Sequence, residues 1–162
     1  MSVDQLKRSE ATTVKAVKPN ESVFFNIDSI EWLPWVMEGT WFKLLNVDMK
    51  TGGYSMILKV DPDNEAPVHG HVGAVEGIIL EGEFGYDDDR GSGMYYVWEP
   101  AGAIHQPDSP RGFTMFAVMH GPLMGYNDDG SIAAVVDGKM MYQMALDGGC
   151  AAHLKVDFPD IG

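Results

Sequence analysis

Pro67-Val68-His69-Gly70-His71 holds two histidines one residue apart, and a third, His105, closes the run Glu99-Pro100-Ala101-Gly102-Ala103-Ile104-His105. On a β-strand, side chains at i and i+2 leave from the same face. His69 and His71 would therefore present two imidazoles side by side. A third imidazole arriving from a later strand would close one face of a metal ion and leave the other face open. That open face is the arrangement of a catalytic rather than a purely structural metal site.

Such a site needs strands to carry it, and the sequence supplies them. From Trp41 onward, short apolar or alternating runs are cut by turn residues: Lys50-Thr51-Gly52-Gly53, Asp61-Pro62-Asp63-Asn64, Pro100-Ala101-Gly102 and Gly121-Pro122. Residues 87–93, Asp-Asp-Asp-Arg-Gly-Ser-Gly, read as another break, with Gly91-Ser92-Gly93 as a loop tip. Asn127-Asp128-Asp129-Gly130 is a hairpin-like signal. This punctuation, with 19 Gly and 9 Pro, predicts an all-β antiparallel sandwich or barrel. In Tyr54-Ser55-Met56-Ile57-Leu58-Lys59-Val60 the even positions are apolar and Ser55 and Lys59 oppose them, so one face of that strand is core. Only residues 139–146 suit a short helix. Residues 1–22 read as an N-terminal arm. Residues 23–162 read as one barrel domain with a C-terminal extension, in which residues 23–33 are a strand or a segment covering a sheet edge.

The composition narrows the function classes. The 162 residues fit one domain with a sizeable core. Lys plus Arg number 11 against 24 Asp plus Glu, a net charge of −13, which disfavours nucleic acid and anionic lipid surfaces. No apolar run is long enough to span a bilayer, and residues 1–18 lack the apolar stretch of a signal peptide. The single cysteine, Cys150, allows no intrachain disulfide and fits a reducing compartment. A cytoplasmic protein is the expectation. Cys150 has no base near it in sequence and reads as a passive small side chain. With 11 Met, 7 Phe, 4 Trp and 6 Tyr, the interior can pack adaptably or line an apolar pocket.

His69-x-His71 followed by Leu80-x-Gly82, then Pro100-x-Gly102-x-x-His105, resembles the two metal-binding motifs of the cupin superfamily. The resemblance implies a single cupin β-barrel of jelly-roll topology (a double-stranded β-helix) with little helix and a metal near its centre. Within that superfamily the chain is similar to acetylacetone-cleaving and 2,4'-dihydroxyacetophenone dioxygenases over residues 32–137. Trp41-Phe42-Lys43-Leu44-Leu45 and Met119-His120-Gly121-Pro122-Leu123-Met124 add to that likeness.

Two departures shape the reading. Many cupins carry a glutamate ligand four residues after the second histidine, where this chain has Val75. Glu76 stands one place later, on the opposite strand face, unless a bulge turns it inward. The site then reduces to His69, His71 and His105, as in the diketone-cleaving relatives. The asparagine that often follows the third histidine is replaced by Ser109. By resemblance, Glu99 is an outer-shell carboxylate that orients ligands or water near the metal; a solvated or structural glutamate is the plain alternative. Glu81 and Glu83, flanking Gly82, read as exposed hairpin charges. His120 reads as a core or strand-end histidine, with a pocket-wall role as the alternative, and His153 lies in no partner pattern. Trp35, Trp41, Phe42 and Tyr96 are either core or the lining of an aryl pocket.

Ligand preference lets three neutral imidazoles accept Fe(II), Zn, Ni or Cu; iron is what the resemblance implies. The leading expectation is an Fe(II) dioxygenase that cleaves a C–C bond next to a carbonyl in a β-diketone or hydroxyketone. It would need O2 and no organic cofactor, and would work as a homodimer or homotetramer. The alternatives are a non-redox isomerase or hydrolase using Zn, Mn or Ni as Lewis acid, and a non-enzymatic cupin that binds a small ligand or senses metal.

Overall fold

The computed structural model describes residues 23–156; the expected arm at 1–22 and the final residues of the C-terminal extension lie outside them. In chain order the strands are β1 (Leu33–Pro34), β2 (Thr40–Val47), β3 (Tyr54–Val60), β4 (Asn64–Glu65), β5 (His69–His71), β6 (Val75–Tyr86) and β7 (Asp89–Ser92). They continue as β8 (Tyr96–Glu99), β9 (Ile104–His105), β10 (Asp108–Ser109), β11 (Phe113–Met119), β12 (Leu123–Tyr126) and β13 (Ile132–Val136). One helix, α1 (Gly138–Asp147), follows.

These strands make two antiparallel sheets. The larger runs β1-β2-β3-β11-β6-β10-β4, with β7 and β8 also paired to β6; the smaller runs β13-β12-β5-β9. Side chains from both sheets line one interior cavity: Leu58 and Met115 from the larger, His71 and Leu123 from the smaller. The expected all-β barrel is present. Alternation drives it, as β11 illustrates: Met115, Ala117 and Met119 are buried while the residues between them are only half-covered. On β3, Met56, Leu58 and Val60 are buried and Lys59 is exposed, as the pattern predicted, although Ile57 is buried as well.

A bulge interrupts β6. Met115 of β11 pairs with Ile79, but Thr114 pairs with Glu81, so Leu80 is an extra residue. An extra residue reverses the in-and-out alternation beyond it. Val75 and Ile79 are buried before the bulge; Phe84 is buried after it. Gly82, at φ +77°, is where the strand recovers, and a Cβ there would lie 2.0 Å from the Gly112 carbonyl oxygen.

Residues 23–32 cover the larger sheet. A 3-10 turn at Ile27–Ser29 lies over β2, where the Lys43 Nζ donates to the Ile27 carbonyl at 3.1 Å and sits 5.0 Å from the Trp32 ring centroid. Leu33 and Pro34 then pair with the β2 edge in the same chain. Asp137 caps α1 by accepting from Met140 N at 2.8 Å. Met141 and Ala145, one turn apart, bury the inner face of the helix.

Three local expectations need correction. Residues 87–93 are not one loop: Asp89–Ser92 forms β7 on β6, so Gly91-Ser92-Gly93 is not a loop tip. The strand β13 was not predicted, because Ile132–Val136 has no polar alternation; the Asn127–Gly130 hairpin signal that precedes it does join β12 to β13. Glu81 is exposed, but Glu83 is half-buried and accepts from Arg90 Nε at 2.7 Å.

Candidate metal centre

The smaller sheet assembles the histidines. β5 runs between β12 and β9, with Leu123 opposite His71 and His105 directly opposite His69. The Pro100–Gly102 turn sets the third histidine. Gly102 adopts φ +81°, a conformation that glycine reaches without steric cost, and its N–H donates to the His71 carbonyl at 2.7 Å. The chain thereby leaves the larger sheet at Glu99 and enters the smaller one at Ile104.

The three rings stand edge to face, with centroids 4.7 to 5.1 Å apart. One nitrogen from each lies within 4.8 Å of the others, and His71 Nε2 is 2.8 Å from His105 Nε2. His69 Nδ1 is 3.0 Å from the Pro67 carbonyl oxygen. A proton on Nδ1 satisfies that carbonyl and leaves the Nε2 lone pair free, the usual way a ligand tautomer is set. Burial pushes the His69, His71 and His105 pKa values down, that of His71 to about 3 with its two imidazole neighbours contributing. Neutral imidazole is the form that binds metal. The converging lone pairs, fixed tautomer and neutrality all fit a metal ion.

Glu99 and Tyr86 complete the cluster. Glu99 Oε2 is 3.4 Å from His71 Nε2 and Oε1 is 3.8 Å from His105 Nε2. Burial raises the Glu99 pKa, opposed by a hydrogen bond from Tyr86 and by His69. The Tyr86 hydroxyl donates to Glu99 Oε1 and lies 3.3 Å from His105 Nε2, and its ring stacks on His105 at 4.7 Å. Burial and the Glu99 charge drive the phenol pKa upward, so Tyr86 stays a donor. Sequence reasoning missed Tyr86. Counting in twos from Val75 puts it on the outer face, and the Leu80 bulge brings it in.

Val75 and Glu76 fall as strand parity required. Val75 is buried in the cavity wall, paired across the strand with Glu99. Glu76 points to the outer face, accepting from Tyr96 OH at 3.2 Å and meeting His120 Nε2 at 3.0 Å. His120 is therefore neither a core residue nor a wall of the main cavity; it is an exposed strand-end histidine. His153, for which the sequence offered no partner pattern, meets the Leu44 carbonyl oxygen at 2.7 Å and packs against Phe25. Cys150 makes one weak contact, to the Gly148 carbonyl.

Beside His69, His71 and Glu99 opens a cavity of about 700 Å³. Of the four aromatic pocket candidates only Trp35 lines it. Phe42 is fully buried core, Trp41 donates to Asp61 Oδ2, and Tyr96 lies on the outer face. Ser109 is in the wall, its hydroxyl donating to the Glu83 carbonyl at 3.0 Å.

The sequence pattern of the ChrR cupin-like domain matches residues 20–124, more than half of the chain. The protein belongs to this cupin family. No curated protein matches it. Among solved structures, an RmlC-like cupin from Ralstonia eutropha superposes with a TM-score of 0.73 at 23% identity, over 85% of this chain and 93% of the other. An acetylacetone dioxygenase from Acinetobacter johnsonii gives 0.70 at 19% identity, over 84% and 97%. A protein described as a candidate acetylacetone dioxygenase, from Methylibium petroleiphilum, gives 0.70 at 25% identity, over 86% and 100%. The cupin barrel is thus shared along nearly the whole of each chain. Among the described residues, no helix is long and apolar enough to cross a membrane.

Proposed function

We propose that this cupin is a mononuclear Fe(II) dioxygenase that cleaves a C–C bond next to a carbonyl in a β-diketone or hydroxyketone. The observation that carries the reading is Val75. With an apolar side chain where many cupins place a carboxylate, the groups left to hold a metal are three neutral imidazoles, His69, His71 and His105. The similarity to acetylacetone dioxygenase structures agrees with it. Iron held there would supply Lewis-acid and one-electron chemistry toward the dicarbonyl and O2.

The protein's own groups have separate tasks. Neutral ligands leave an anionic enolate as the favoured partner of the site. Glu99 Oε1 is engaged by Tyr86, which leaves Oε2 beside His71 to take the proton from the carbon next to the carbonyl. Burial favours this by raising the Glu99 pKa, which strengthens the carboxylate as a base. Tyr86 holds the carboxylate in place, and the cavity beside it is largely apolar-walled.

The test is oxygen uptake by Fe(II)-reconstituted protein against a panel of β-diketones and aryl hydroxyketones. Uptake that requires both iron and one substrate class is expected. Iron bound with no uptake anywhere on the panel would overturn the reading in favour of a non-redox Zn, Mn or Ni enzyme or a ligand-binding cupin.

A further inference from the structure

We infer that the substrate carries a large apolar substituent that fills the barrel cavity away from the histidines; this rests on the carbonyl-cleavage reading above. The cavity, about 700 Å³, falls within the roughly 300–1,000 Å³ that encloses drug-sized ligands. A compound as small as acetylacetone would leave most of it empty or wet, and apolar walls give water no hydrogen-bond partners.

Most polar groups free to meet a ligand gather at one place. His69, His71, Glu99 and Tyr86 belong to the metal centre. The Tyr126 hydroxyl, also in the wall, stands on the other face of β5, 2.8 Å from where a Cβ on Gly70 would be. The remaining polar side chains of the wall are already engaged. Ser109 donates to Glu83, Asn64 donates to the Glu38 carbonyl at 2.9 Å, and Asp108 accepts from Arg90.

Elsewhere the wall is hydrocarbon and thioether. Leu58 and Val60 of β3 and Phe113 and Met115 of β11 supply one part. Met140 and Met144, one turn apart on α1, supply another. Methionine adapts to irregular apolar shapes. Trp35, also in the wall, is tied to α1 by its Nε1–H on the Met141 sulfur at 3.2 Å, so the wall is held together without a ligand. A space with one chelating corner and a long apolar remainder matches a dicarbonyl or hydroxyketone bearing an extended alkyl or aryl group.

The experiment is calorimetry under argon on the protein with its metal. The probes are acetylacetone and homologues in which one terminal methyl is lengthened one methylene at a time. Affinity should rise about fourfold per added methylene until the cavity is full. In Met144→Trp the rise should stop at a shorter chain, and Met140→Trp gives the same test should the first variant fail to fold. Equal affinity along the series would overturn the inference. So would an unchanged gradient in both variants, which would mean the tail binds elsewhere. Oxygen uptake separates this inference from the functional reading. Chain-dependent binding without oxygen consumption keeps the ligand class and removes the dioxygenase. Oxygen consumption that is as efficient with acetylacetone as with every homologue keeps the dioxygenase and removes the tail.

Discussion

β6 carries a His–Glu–Tyr cluster on each of its faces, and only one of them is buried. On the inner face, Glu99, opposite Val75, meets Tyr86, His71 and His105. On the outer face, Glu76 meets His120 and Tyr96. The residue types match; the environments do not. Inside, Glu99 is 12% exposed and its pKa is raised by burial. Outside, Glu76 is 42% exposed and its pKa is lowered by the hydrogen bonds from His120 and Tyr96. Desolvation disfavours charge, so the inner imidazoles stay neutral and available to a metal. The outer ones make solvated hydrogen bonds at the surface, of the kind that contribute little. What separates the two clusters is burial and convergence rather than the side chains present.

The largest break in the comparison should come from His105→Ala. Metal content should fall to background while the barrel keeps its circular dichroism; full metal retention would mean that the assigned triad is wrong. Next, Val75→Glu should restore a carboxylate to the inner face. In the metal-free protein that buried charge, beside Glu99, should cost on the order of 3 kcal/mol, read from denaturant unfolding, and added Zn(II) should recover part of the loss. A wild-type unfolding curve would show that the position is not in the site.

Smaller effects belong to the groups behind the ligands. Tyr86→Phe should weaken metal affinity by about 10–100-fold, as should Glu99→Gln, measured by chelator competition. The two together should lose less than the sum of their free energies, because they share one hydrogen bond. Additive losses would separate their roles. Smallest of all, Glu76→Gln and His120→Ala should leave metal content and melting temperature within error. Loss of metal in Glu76→Gln as severe as in His105→Ala would place Glu76 among the ligands.

Short-range physics made much of this legible. His69 and His71 share a face because they are two residues apart, and Val75 and Glu76 divide between faces because they are one apart. The Asn127–Gly130 turn and the helix after Asp137 follow from local conformational preference. What failed was counting across irregularities. The Leu80 bulge is invisible in a run of apolar residues, and it turns Tyr86 into the site and moves Glu83 against Arg90. The sheet change at the Pro100–Gly102 turn likewise voids any face assignment between Glu99 and His105.

Strand periodicity and turn chemistry act over a few residues, so the chain's own order was enough to specify an all-β barrel and two side-by-side imidazoles. Distances among His71, His105, Glu99 and Tyr86, and the cavity beside them, depend on two sheets closing on each other. That closure is set by long-range pairing and packing, which no local pattern encodes.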